Sequence, residues 1–166
     1  MDNQIIEQLY QMYGREIFLY LFSLCKNREM AEDLKQETFV KAMLSLPKQH
    51  TNMRAWLYMV ARNLCFNQMA KDKRYTDFED YENQLGESED ILERYILREE
   101  QRVLYLALLQ MPTPKKEILQ LQYFSGLSLK EIAALLHLSY ESVRVLKHRA
   151  KQDLKKILEE NGYEIS

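Results

Sequence analysis

Glycine and proline are scarce in this chain, four and three among 166 residues, and most of them stand far apart. A sheet protein of this length needs turn residues at short regular intervals, whereas long segments here repeat their apolar residues with a period near 3.6. The expected fold is therefore all-α. Cysteine is scarce too. Cys25 and Cys65 each lie on an apolar helix face, with no second pair to complete a disulfide framework or a zinc site, so both read as buried thiols. His50, His137 and His148 are scattered, and there is no glycine-rich phosphate loop, no paired-histidine metal motif and no nucleophile beside a base. These absences argue against an enzyme, a cofactor, a metal and a small-molecule substrate. No run approaches the roughly 20 apolar residues that cross a bilayer, and the start MDNQIIEQLY lacks a basic region followed by an apolar core. A cytoplasmic protein with no direct membrane insertion is expected.

What the chain does have is charge arranged in blocks. Residues 1–75 carry 11 basic and 8 acidic side chains, residues 76–111 carry 3 and 10, and residues 112–166 carry 9 and 7. Two mildly basic ends thus flank an acidic middle. The polar stretch TDFEDYENQLGESED, residues 76–90 with the isolated Gly86, reads as a linker between a domain at 1–75 and a second at 91–166.

The densest signal lies in the second domain, in SGLSLKEIAALLHLSYESVRVLKHRAKQDL, residues 125–154. Gly126 ends one helix. Ser128 opens the box S-L-K-E, in which its side chain caps the next helix and Glu131 reaches back. Leu129, Ile132, Ala133 and Leu136 recur at helical spacing, the chain turns at His137-Leu138, and Ser139 caps a further helix with a buried stripe of Val143, Leu146, Ala150 and Leu154. That is a helix-turn-helix. Between Ser139 and Lys156 stand Arg144, Lys147, Arg149, Lys151, Lys155 and Lys156 against only Glu141 and Asp153. A basic run alone is usually a solvated helix face, but capping box, tight turn, core spacing and one-sided charge together suit a major groove lined by phosphates.

Three helices fit the first domain. The first spans about Asn3 to Cys25 and buries Ile6, Leu9, Tyr13, Ile17, Leu21 and Leu24. The second runs from about Glu29 to Leu46 and stops before Pro47. The third, about Met53 to Lys71, turns Trp56, Leu57, Val60, Ala61, Leu64 and Met69 inward and ends in the cluster KDKR. Asp33, Gln36 and Glu37 on the second helix, and Lys41, Arg54, Tyr58, Arg62 and Asn63 on or facing the third, remain to be explained. Rings interleaved with cations and amides suit single-stranded nucleic acid, though Tyr58 and Trp56 fit a core edge at least as well.

Three segments carry a family resemblance. Residues 31–42, AEDLKQETFVKA, resemble a signature of bacterial sigma factors of the extracytoplasmic-function (ECF) type within the sigma-70 family, and residues 56–64, WLYMVARNL, resemble the segment that follows it. The C-terminal QMPTPKKEILQLQYFSGLSLKEIAALLHLSYESVRVLKHRAKQDL is similar to that family's second domain. The resemblance implies an alternative sigma factor that binds core RNA polymerase at the clamp helices of its largest subunit and is held by an anti-sigma factor. It implies polymerase contact at Asp33, Gln36 and Glu37. Minus-ten DNA, melted to expose the non-template strand, would meet Lys41, Arg54, Tyr58, Arg62 and Asn63, with the loop Pro47 to Asn52 as a rim. Minus-thirty-five duplex would meet Ser139, Tyr140, Glu141, Ser142, Arg144, Val145, Lys147, His148, Arg149 and Lys151. Family patterns differ here at His137, where Gly is usual, at Tyr140-Glu141-Ser142, and at Asn67, where Asp is frequent. A one-component helix-turn-helix regulator is the nearest rival, and it leaves AEDLKQETF and WLYMVARN unexplained.

Overall fold

A computed structural model describes residues 3–45, 52–72, 94–96 and 98–162. The chain divides into two compact units, residues 1–87 and 88–166. Among the described residues every regular element is a helix, and none is long and apolar enough to cross a membrane. The stretch 76–90 and residues 47–51 of the expected rim lie outside the described residues.

Unit one holds α1 (Asn3–Cys25), α2 (Arg28–Ser45) and α3 (Met53–Lys71), each in contact with the other two. The α1–α2 corner is tight because Lys26 takes a left-handed conformation, φ 54°, with its N–H on the Phe22 carbonyl at 2.8 Å. Asn27 then caps α2, its Oδ1 accepting from Met30 N at 2.9 Å, and Asn52 caps α3 in the same way through Ala55 N at 3.0 Å. The core gathers Ile17, Phe18, Leu21, Phe22, Ala31, Leu34, Phe39, Leu57, Ala61 and both thiols. Tyr13, Trp56, Val60, Leu64 and Met69, expected inside, are half-buried, while Tyr58 and Cys65 are fully buried in their stead. The inward face of α3 is therefore rotated toward Leu57, Tyr58, Ala61 and Cys65, a stripe spaced by one, three and four residues.

Lys35 is an unusual interior cation. Its Nζ sits 3.2 Å from Glu32 Oε2 and 5.1 Å from the centroid of the Tyr10 ring, so a carboxylate and a π face replace the water that burial removes.

Unit two holds α4 (Glu99–Leu109), α5 (Lys115–Tyr123), α6 (Leu129–Leu136) and α7 (Tyr140–Glu160). Its core is Ala107, Leu108, Met111, Leu119, Ala150, Leu154 and Leu158, so one residue on each successive turn of the second half of α7 is buried against α4 and α5. Gly126, at φ 69°, closes α5 and lets Leu127 N reach the Leu121 carbonyl at 3.0 Å. Lys115 Nζ meets Asp153 Oδ2 at 2.7 Å, tying the start of α5 to the middle of α7.

Candidate nucleic-acid interface

The helix-turn-helix is built as its capping residues dictate. Ser128 Oγ accepts from Glu131 N at 3.1 Å while Glu131 Oε1 accepts from Ser128 N at 2.8 Å, which satisfies two of the donors that a helix start leaves open. His137 occupies the left-handed region at φ 57°, ψ 42°, so the turn keeps the conformation glycine would give it. Histidine bears that backbone better than most side chains. Leu138 N closes the turn on the Ala133 carbonyl at 3.0 Å, and Ser139 Oγ accepts from Ser142 N at 3.1 Å to start α7.

Because Val143, Ala150, Leu154 and Leu158 point inward, Tyr140, Glu141, Arg144, Val145, His148, Arg149 and Lys151 are left exposed on α7. Lys147 is half-buried. Ser139 and Ser142 spend their hydroxyls on each other, at 2.9 Å, and so serve the cap more than the surface. Glu141, Arg144, Val145, His148 and Arg149 line one shallow hollow of about 440 Å³, and Leu129, Arg144, Lys147, His148 and Lys151 line a second of about 270 Å³. Leu129 was not among the expected contacts, since periodicity marks it as core. Within the first hollow Arg144 Nη1 donates to Glu141 Oε1 at 3.1 Å, and His148 shares a 3.3 Å hydrogen bond with Gln152. A planar cation, a carboxylate, an exposed apolar Val145 and an imidazole on adjacent turns can address donor, acceptor and methyl groups at base edges.

Unit one presents two further surfaces. Asp33, Gln36 and Glu37 are all exposed on α2, with Asp33 and Glu37 flanking the buried Leu34. Asp33 and Glu37 line a hollow of about 320 Å³ with Asn27, Glu29, Met30, Leu34 and Gln68. Glu29, one turn earlier, extends the acidic line and went unmarked in the sequence because it lies at the helix start, where an acid is ordinary. Val40 and Leu44 continue the same exposed face as apolar residues.

The residues expected at minus-ten DNA do not share one environment. Lys41 and Asn63 are exposed, Arg54 and Arg62 half-buried, and Tyr58 is 0% exposed. The Tyr58 ring packs edge-on against Tyr20 at 5.2 Å between centroids, so it offers no face to a base, and a stacking role for it is corrected to a core role. Arg54 reaches back to α1. Its Nε lies 3.3 Å from Glu16 Oε1 and its guanidinium lies over the Tyr13 ring at 5.0 Å. Burial pushes the Glu16 carboxyl up to about 7, and the neighbouring Arg54 charge only partly offsets that rise. Arg62 lies over the Phe66 ring at 4.6 Å, and Phe66 was not among the expected contacts.

Comparison with known proteins matches this division of the chain. A family model of sigma-70 region 2 covers residues 9–75 and one of sigma-70 region 4 covers residues 101–154. The RNA polymerase sigma factor YlaC of Bacillus subtilis is 36% identical over 156 residues, spanning 91% of this chain and 90% of that protein. The ECF RNA polymerase sigma factor SigM of the same organism is 29% identical over 157 residues, spanning 90% and 93%. Among solved structures, the fold is shared with the sigma factor RpoE in its complex with the anti-sigma factor NepR from Bartonella quintana (TM-score 0.69, 22% identity, 92% of this chain and 96% of that one). It is shared equally with CnrH in complex with the cytosolic domain of CnrY (TM-score 0.68, 22% identity, 97% and 92%). Two region models in order and a relative of this identity along nearly the whole length leave one assignment: the chain belongs to the sigma-70 family of RNA polymerase sigma factors, in its extracytoplasmic-function group.

Proposed function

We propose that this sigma factor docks on core RNA polymerase through Asp33, Gln36 and Glu37, opens minus-ten DNA along α3 and reads minus-thirty-five duplex with α7. The observation that carries the reading is the exposed face of α7, where Arg144, Arg149 and Lys151 stand free of the core behind a fully capped turn. Arg144, Glu141, Val145 and Tyr140, on the first turns, meet base edges, and Lys147, Arg149 and Lys151 hold phosphates. Lys41 and Asn63 contact the separated non-template strand, while Arg54 serves α3 through Glu16 first and DNA second. The stretch 76–90 acts as the acidic linker between a domain at 1–75 and one at 91–166, and imitates nucleic acid inside a basic channel of the polymerase. One solved structure of the same fold holds a sigma factor with an anti-sigma factor and another holds CnrH with the cytosolic domain of CnrY, which supports control of this chain by an anti-sigma factor in the cytoplasm. Its role is in transcription initiation and not in catalysis by the chain itself.

Run-off transcription with core polymerase on a randomised promoter library tests the reading. Selective transcripts sharing two elements at fixed spacing are expected. Binding of the chain to DNA without any association with core polymerase would replace it with a one-component regulator.

A further inference from the structure

Arg54 stands where the core of unit one meets solvent. It occupies the first turn of α3, on the ridge that continues inward through Tyr58, Ala61 and Cys65, yet 36% of its side chain stays exposed. Two groups of α1 hold it. Glu16 Oε1 lies 3.3 Å from its Nε, and the Tyr13 ring lies under its guanidinium, 5.0 Å from Cζ to centroid. Tyr13 and Glu16 are three residues apart on one helix face, so they present a π face and a carboxylate to the same cation. The ion pair misses the alignment of a hydrogen bond, which leaves both partners open to a better one. Nearby groups are engaged elsewhere: Lys35, the interior cation of α2, answers to Glu32 and Tyr10, and Tyr58 of α3 packs on Tyr20. Among the described residues the charge that acts on the Glu16 carboxyl is that of Arg54.

The Glu16 side chain is only 19% exposed, and burial holds its carboxyl at about 7, so it changes charge near neutrality. A guanidinium has no such freedom. With Glu16 ionised, outward movement of Arg54 strands a half-buried carboxylate, which is unfavourable; with Glu16 protonated, the movement breaks little more than the contact with the Tyr13 ring.

We propose that Glu16 is a positioning residue that competes with DNA phosphate for Arg54, so that protonation of Glu16 releases Arg54 to the promoter. The competition rests on the sigma-factor reading and deepens it by naming what regulates one of its DNA contacts. Arg54 beside the carboxyl lowers its value, so the departure of Arg54 to a phosphate raises that value further, and DNA binding takes up part of a proton. Promoter affinity is therefore highest below about 7, where Glu16 is protonated with or without DNA, and falls as pH rises through the higher value of the DNA-bound state.

The test uses the full chain assembled with core polymerase, on a promoter that the wild-type holoenzyme selects from the randomised library. Affinity is measured over a salt series at about pH 6 and about pH 9, on either side of the Glu16 transition. The polymerase's own response to pH is common to all variants, so each response is read relative to Glu16→Gln, which exchanges no proton at this site. Wild type should match Glu16→Gln at the lower pH and bind about threefold more weakly at the higher, the size of one partly exposed ion pair. Its salt slope at the higher pH should be shallower by up to about one, the mark of one phosphate contact withheld. Arg54→Gln should lose this excess response to pH, and Arg54→Lys, which keeps the charge, should retain it. Equal responses of wild type and Glu16→Gln overturn the competition. So does an excess that persists in Arg54→Gln, or one that is absent from an Arg54→Lys chain with the wild-type thermal midpoint. A wild-type holoenzyme that selects no promoter overturns the sigma reading and the competition together, whereas a selected promoter with equal responses removes the competition alone.

Discussion

α7 and α3 are helices of similar length, 21 and 19 residues, both rich in side chains suited to nucleic acid, yet they use them differently. α7 buries one narrow stripe and leaves its cations on the outside. α3 packs against α1 and α2 and α7 against α4, α5 and α6, with four buried residues on each, but α3 holds a wider arc of its circumference half-buried. On α7 a polar residue off the stripe is exposed almost by default. On α3 the same kind of residue is drawn onto α1: Tyr58 onto Tyr20, and Arg54 onto Glu16 and Tyr13. How far its neighbours' side chains reach round a helix, more than its composition or the number of those neighbours, decides how many of its functional-looking side chains are available.

The largest test of that contrast is Tyr58→Ala. If the ring is core, its removal should cost about 3–5 kcal/mol of the stability of unit one, read as a lowered urea midpoint. Impaired promoter opening with unchanged stability would return Tyr58 to the DNA.

Glu16 comes next. Its carboxyl has a folded-state value of about 7 against 4.5 in the unfolded chain, so the folded state binds the proton more tightly. The stability this gives is fully present below pH 4.5 and is lost as pH rises through about 7. Glu16→Gln should flatten the decline across that window and stabilise unit one by about 1–3 kcal/mol at pH 8, since burial outweighs the Arg54 attraction. A steeper decline in the variant would show that the ion pair dominates after all.

Arg144→Ala and Lys151→Ala sharpen the other side of the comparison. The first should cost on the order of 1–3 kcal/mol at one or two base pairs and relax preference there. The second should weaken binding to every sequence alike and lower the salt slope by about one. Selection experiments at two salt concentrations separate them, and equal effects on every promoter variant would erase the distinction between reading and holding.

The smallest effect is expected on stability from Asp33→Lys with Glu37→Lys. Both side chains are exposed, so unfolding free energy should change by no more than about 0.5 kcal/mol for each while association with core polymerase falls in a pull-down or by anisotropy. A large fall in stability with polymerase binding intact would place these acids in the fold's own service.

Local rules were sufficient in unit two. Ser128, Glu131 and Ser139 state the helix starts, Gly126 the stop, and Val143, Ala150 and Leu154 the buried face, with Leu146 of the expected stripe only half-buried, because caps and periodicity involve neighbours within a turn or two of the chain. The all-α fold and the helix limits in unit one were legible for the same reason, to within a residue at each end of α2. Which face of α3 turns inward was not. Trp56, Val60, Leu64 and Met69 satisfy helical spacing as well as Leu57, Tyr58, Ala61 and Cys65 do, and an apolar pattern on nearly all sides cannot choose between them.

The sequence by itself determined the helices of the helix-turn-helix, their caps and the family, since each is written in short-range spacing or in residue order, whereas the left-handed backbone at His137 was seen only in the structure. Tertiary structure decided the fate of individual polar and aromatic groups. Whether Arg54 faces a phosphate or Glu16, and whether Tyr58 offers a ring or hides it, depend on which side chains other helices bring within a few ångströms. Periodicity along one helix holds no record of those neighbours.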